Sequence, residues 1–178
     1  MFTSITTTYL NRVLPNRGEL FGVQNIHATP RIEKVVLNAR VKRGSVVDEV
    51  KVLETLSRVT GQRAVATRAR LSISNFKIRE GQVVGGKVTL RGKRAADFLD
   101  RFIHVTLPRV RDFSGLSAKG FDGHGNYTAG FSEHNVFPEV AGDDIAKLHG
   151  IEITVVTSAT NDKDGMTLLK TLGFPFKK

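Results

Sequence analysis

Three groups of residues carry the functional chemistry available to this chain, and two of them lack the partners that catalysis requires. Gly81-x-x-x-x-Gly86-Lys87 approaches a phosphate-binding loop. Such a loop needs Ser or Thr after the lysine to reach magnesium, and a helix after that to aim free amides at phosphate. Here Val88 follows and the next residues alternate like a strand, so the segment reads as a glycine-rich hairpin connection marked by Gly81, Gly85 and Gly86. Asp122-Gly123-His124-Gly125-Asn126, with Glu133 and His134 downstream, offers oxygen and nitrogen ligands. It has neither helical nor paired spacing, and a structural turn accounts for it without a metal. Asp143-Asp144 reads as solvated charge or a helix cap, and His104 as a residue at a helix edge. There is no Gly-x-Ser-x-Gly, no His-Glu-x-x-His and no cysteine. The expectation is a protein without catalytic residues, metal or cofactor.

The third group is cationic. The net charge of the 178 residues is +10, with a pI near 10.2, which favours a polyanionic partner. The charge is unevenly placed: residues 61–120 hold 13 Lys/Arg against 4 Asp/Glu, whereas residues 121–178 hold 5 against 8. The middle third is therefore the surface expected to meet phosphate. Its basic residues are interleaved at strand spacing, not strung along a polar tail. They share that spacing with Asn38, Gln62 and Thr89, neutral groups suited to base edges and 2′-hydroxyls. Phe76, between Asn75 and Lys77, has either of two places, on a base or in the core. Structured RNA is the partner these residues reach on their own.

The elements that must position them follow from periodicity. Ile32–Val41 alternates as a strand, with Val35, Leu37, Ala39 and Val41 on one face and Lys34, Val36, Asn38 and Arg40 on the other. Ser45, with Asp48 three residues on, is expected to cap a helix whose apolar stripe is Val46, Val50, Leu53, Leu56 and Val59, ending at Gly61. Gln62–Arg70 reads as extended, with Arg68 and Arg70 on the side of Gln62. A bulge or turn near Ser74-Asn75 explains the broken parity of Phe76 and Ile78. Lys87–Arg91 resumes as a strand, with Val88 and Leu90 inward and Lys87, Thr89 and Arg91 outward. A second helix from Lys93 buries Ala95, Phe98, Leu99, Phe102 and Ile103 and ends at Pro108. Residues 150–158 form a strand in which Ile151, Ile153 and Val155 alternate with Glu152 and Thr154. Asn161 caps a last helix carrying Met166, Leu169 and Leu172. Thr3–Leu14 reads as a short helix ended near Pro15. The fold class is α+β, with helices interspersed among mostly hairpin-linked strands. One domain is expected over residues 1–178, with a helical segment over 1–30 and a loop rich in glycine and aromatics over 111–140 that includes short strand pieces around Tyr127 to Phe131. No signal peptide or membrane span is expected, and the absence of cysteine favours a reducing compartment.

The order of several uncommon strings makes the chain resemble the fifth-numbered family of large-subunit ribosomal proteins, the 5S rRNA binders of bacteria and organelles. They are Pro30-Arg31-Ile32-Glu33-Lys34, Thr60-Gly61-Gln62, Asn75-Phe76-Lys77-Ile78-Arg79-Glu80-Gly81, Lys87-Val88-Thr89-Leu90-Arg91-Gly92, Leu107-Pro108-Arg109-Val110-Arg111-Asp112-Phe113, Gly125-Asn126-Tyr127 and Phe137-Pro138-Glu139. The match runs from Tyr9 to Phe176. The resemblance implies an antiparallel sheet with helices packed on one face and a concave opposite face that holds 5S rRNA through Asn38, Gln62, Phe76, Thr89 and Arg91. Arg40, Arg68, Arg70, Lys77 and Arg79 would contribute phosphate contacts. It also implies large-subunit rRNA and neighbouring large-subunit proteins as partners, a hairpin over residues 77–86 near P-site tRNA, and a region over residues 109–137 that bridges to a protein of the small-subunit head. The expected location is the large subunit of a cytoplasmic ribosome, with an organelle ribosome as the other setting. A free-standing RNA chaperone or another nucleic-acid-binding module is the competing reading. The chain departs from the pattern at Ala39-Arg40-Val41-Lys42-Arg43, bulky and basic where small residues are usual. Leu71 stands where a basic residue is common, and Ser114, His124 and His134 stand where the family has Arg, Arg and Gln. Arg17-Gly18 interrupts the apolar first helix.

Overall fold

The computed structural model describes residues 4–41, 49–142 and 149–177. In chain order its main elements are helix α1 (Ile5–Thr8), extended by a π-helical turn over Tyr9–Val13, helix α2 (Arg17–Phe21), strand β1 (Ile32–Arg40), helix α3 (Glu49–Thr60), and strands β2 (Val65–Arg68) and β3 (Val83–Arg91). Helix α4 (Gly92–Arg101), strands β4 (Tyr127–Phe131) and β5 (Ile151–Thr157) and helix α5 (Asp162–Thr171) follow. The strands form one antiparallel sheet in the order β2-β3-β1-β5-β4, so the α+β class is as expected.

Backbone contacts divide the chain into two compact units. The first comprises Met1–Val35, Leu90–Ala129 and Thr154–Lys178, and the second Val36–Thr89 and Gly130–Ile153. In the first unit, α4 buries Ala95, Phe98 and Leu99, and the π-helical turn that continues it buries Phe102 and Ile103. This is the stripe read from the sequence. Phe98 stacks on Phe102 at 6.1 Å, and Phe102 meets Phe174 at 6.5 Å. Helix α5 starts where Asn161 accepts from the Asp164 N–H at 2.8 Å, the expected cap. Helix α1 takes its cap from elsewhere: the Asp100 carboxylate accepts from Ile5 N–H at 2.8 Å and from the Ser4 hydroxyl at 2.9 Å.

In the second unit, Leu37, Ala39, Val52, Leu56, Val59, Val88, Phe137, Val140, Ile151 and Ile153 make the core. Helix α3 lies on the Gly86 side of β3. A Cβ added at Gly86 would stand 2.7 Å from Leu53 Cδ2 and 3.1 Å from Leu56 Cδ1, so a side chain here would make these leucines of the helix shift. Gly85 and Gly86 are thus buried strand residues and not part of a flexible connection.

The expected stripe of α3 also needs correction. Val50 is 73% exposed, while Thr55 and Thr60 are buried. The Thr55 hydroxyl donates to Lys51 O at 2.9 Å and that of Thr60 to Leu56 O at 2.6 Å, so each threonine satisfies its polar atom within the helix and presents an apolar methyl. The proposed cap at Ser45-Asp48 and Val46 lie outside the described residues. The first helical run is short and turns at Leu14–Asn16, as the proline implied; Arg17-Gly18 opens α2 instead of merely interrupting α1.

Candidate nucleic-acid interface

Strand alternation decides what β1 and β3 offer to solvent. Val35, Leu37 and Ala39 are buried, whereas Asn38 and Arg40 are exposed. On β3, Val88 and Leu90 are buried, Lys87 and Arg91 are exposed and Thr89 is half-buried. Sequence periodicity placed all of these correctly. Arg91 is the last residue of β3 and the residue before α4, and it belongs to the first unit; the other nine proposed contact residues lie in the second.

Strand β2 pairs antiparallel with β3, Val65 opposite Lys87 and Ala66 opposite Gly86. The register shifts between Thr67 and Arg68, where Thr67 faces Gly85 and Arg68 faces Val83, which leaves Val84 as the extra residue on β3. Arg68 is exposed, and its guanidinium donates to Gly81 O at 3.1 Å. The uniform extended run from Gln62 to Arg70 is accordingly reduced to four strand residues. Gln62 lies outside the strand, half-buried, and its amide donates to Thr89 O at 3.1 Å.

The turn expected near Ser74-Asn75 closes a small hairpin. Ile73 and Ile78 bridge through reciprocal backbone hydrogen bonds of 2.9 and 3.1 Å. Lys77 takes φ +51°, a left-handed conformation that turns the chain back. Phe76 sits at this tip and is 62% exposed, which removes the core reading of its ring. Leu71 at 72% and Ile73 at 45% are exposed beside it. Lys77 and Arg79 line a shallow depression with Ser72, Ser74, Glu80 and Gln82.

A groove of about 1200 Å³ gathers Asn38, Arg40 and Arg70. Thr67, Leu71, Phe131, Ser132 and Glu152 complete much of its lining. Of these Glu152 was legible in the alternation of β5 and Phe131 in the strand piece expected around Tyr127 to Phe131; Ser132 was not, because it follows the end of β4. The arrangement provides cations, amide and hydroxyl groups and exposed apolar surface on one unit. It suits phosphate and nucleotide edges. Gln62, Thr89 and Phe76 are not among the residues that line this groove.

The rejected chemistry also finds its place. The Asp122 carboxylate accepts from the main-chain N–H of His124 at 2.9 Å and of Asn126 at 3.1 Å, and from the Asn126 side chain at 2.8 Å. The Asn126 amide holds the Asp122 carboxyl below its ordinary value; desolvation opposes it, and the two main-chain donors and the charge of His124 add smaller effects in the lowering direction. Asp162 accepts from Gly123 and Gly125 N–H, and the segment is a hydrogen-bonded turn. His134 is buried against His149, ring centroids 4.2 Å apart. Among the described residues no group of three His, Asp or Glu side chains is placed to hold a metal ion, and no helix is long and apolar enough to cross a membrane.

Residues 25–79 match the family model described as ribosomal protein L5, and residues 83–176 match the model of the C-terminus of the same ribosomal family. Curated relatives agree over nearly the full length. The chain is 47% identical to the large ribosomal subunit protein uL5 of Halothermothrix orenii over 174 residues, 96% of each chain. It is 48% identical to that of Trichlorobacter lovleyi over 173 residues, 95% of this chain and 96% of the relative. It is 44% identical to that of Streptococcus pyogenes serotype M49 over 182 aligned positions that span both chains entirely. With a sheet of the expected class and family models that together cover most of its length, the chain belongs to the ribosomal L5 family.

Proposed function

We propose that this protein is a structural constituent of the large ribosomal subunit that binds 5S rRNA. The observation that carries the reading is the exposed side of β1 and β3. Asn38, Arg40, Lys87 and Thr89 are presented there, while the intervening residues are buried. Gln62 is held at Thr89, and Arg68 is exposed beside Gly81. In this reading Asn38, Gln62 and Thr89 meet groove edges and 2′-hydroxyls. Arg40, Arg68, Arg70 and Arg91 neutralise phosphate, and Phe76 with Lys77 and Arg79 extends the contact at the hairpin tip. The role is binding and not turnover. The whole chain acts as one ribosomal module, with large-subunit rRNA and neighbouring large-subunit proteins around it. The hairpin faces P-site tRNA, and the loops over 109–137 face a protein of the small-subunit head.

The test is binding of the purified chain to isolated 5S rRNA and to an unrelated structured RNA of equal length. The expected result is a specific complex with 5S rRNA and sedimentation of the protein with large subunits. Equal affinity for both RNAs would overturn the reading.

A further inference from the structure

The first unit carries a groove that the reading above leaves unused. It has a volume of about 610 Å³ and runs between α1 with its π-helical extension, the start of β1 and the first turns of α4. Ile5, Leu99 and Leu172 line it from the buried core, and Ala95 closes one side. Four side chains with chemistry stand around this apolar floor: Tyr9, Arg31, Lys93 and Asp97. Arg31, Lys93 and Asp97 are exposed, and Tyr9 is half-buried. Burial raises the Tyr9 phenol above its ordinary value, and the charge of Arg31 partly offsets this. The first turn of α4 contains no acidic side chain to neutralise Lys93.

We propose that this groove receives one unstacked nucleotide of an RNA strand, with its base over the apolar floor beside Tyr9 and its phosphate on Arg31 and Lys93. The volume falls in the range of small-ligand sites, which combine an apolar lining with a few placed polar groups. A base offers a flat apolar face to the floor and the aromatic ring. The phosphate that accompanies it matches the two cations, which outnumber the single carboxylate. An apolar protein side chain would fill the floor and leave the two cations, Arg31 and Lys93, with Asp97 alone as counter-charge, which is why RNA is the better occupant. Asp97 adds selectivity. A carboxylate only accepts hydrogen bonds, and guanine presents two adjacent donors, N1–H and the exocyclic amino group. Uracil presents one donor flanked by two oxygens that a carboxylate repels. Guanine is therefore the preferred base.

The chain has two tyrosines and no tryptophan, which makes the site observable. Tyr127 is only 3% exposed and lies among Phe121 and Phe176. With 3-fluorotyrosine incorporated in the full chain, the two ¹⁹F resonances are assigned through Tyr127→Phe. The probes are the tetranucleotides UUGU, UUAU, UUCU and UUUU. The expected result is a shift of the Tyr9 resonance, strongest with UUGU, and a Tyr127 resonance that stays in place. Lys93→Glu, at an exposed position, should weaken UUGU binding about fivefold or more, and Asp97→Asn should remove the preference for UUGU over UUUU. A Tyr9 resonance unmoved by all four tetranucleotides overturns the proposal. So does unchanged affinity in Lys93→Glu, or a shift produced only by an acidic peptide such as Leu-Glu-Glu-Glu. The experiment contains no 5S rRNA, so its failure leaves the proposed function standing.

Discussion

The side-chain amide of Gln62 donates to the main-chain carbonyl of Thr89 across 3.1 Å, tying the residue that follows α3 and Gly61 to the outward-facing position of β3. The bond holds two polar groups of the proposed RNA surface in one place. Gln62→Ala removes the donor, and binding to 5S rRNA should weaken about fivefold, the equivalent of ~1 kcal/mol for a lost polar pairing. Gln62→Glu should weaken it further, because a carboxylate cannot donate to the carbonyl and repels phosphate. Filter binding with both variants checks the order. Equal affinities for the two variants would contradict it.

Asn38 and Thr89 make a second test, because neither contributes its side chain to the core. Asn38→Ala and Thr89→Ala should each reduce 5S rRNA affinity by about 1 kcal/mol or more while leaving urea denaturation unchanged. Normal binding by both would remove this face from the interface.

Affinity should also depend on salt. Six or more phosphates neutralised by the basic residues would cost about 10³-fold in affinity between 50 and 200 mM salt. A titration of the dissociation constant against salt concentration gives the slope directly, and a flat line would mean that the cations do not meet phosphate.

Two glycines separate steric need from conformational habit. A Cβ at Gly85 would come within 2.5 Å of Ala39 O and 3.1 Å of the Thr67 hydroxyl. Gly85→Ala should destabilise the protein by about 1–3 kcal/mol, read as a lower denaturation midpoint with an unchanged slope. Gly18, inside α2, has nothing within 4 Å of an added Cβ. Gly18→Ala should be neutral or stabilising by up to about 1 kcal/mol.

The turn at Asp122 predicts an acid response. The bond from Asn126 lowers the carboxyl from its ordinary value of 3.8. A carboxyl depressed in the folded state stabilises that state above the ordinary value, and the contribution disappears as pH falls through the depressed one. Chemical shifts of Gly123–Asn126 should therefore stay native at pH 4 and change at lower pH. Asp122→Asn should abolish that transition.

Much of this architecture was readable because burial follows a period. The alternation of β1 and β3 and the stripe of α4 each repeat often enough to identify a face. Two things escaped for identifiable reasons. Thr55 and Thr60 count as polar by residue type, yet each returns its hydroxyl to its own helix and buries a methyl. Gly85 and Gly86 look like punctuation, yet serve as strand positions that neighbours crowd. Of the candidate interface, the residue types were legible. The division into a groove holding Asn38, Arg40 and Arg70 and a separate hairpin tip was not, because it depends on where β2 stops.

The Asp100 cap on α1 has a consequence for the order of events during synthesis. Its partner Ile5 precedes it by 95 residues, roughly 5–20 seconds of elongation at typical rates. Throughout that interval the first turn has no acceptor from α4, and a helix this short does not persist alone. The turn at Ile5 is therefore completed by α4: residues made earlier wait for residues made later before they acquire their native hydrogen bonds.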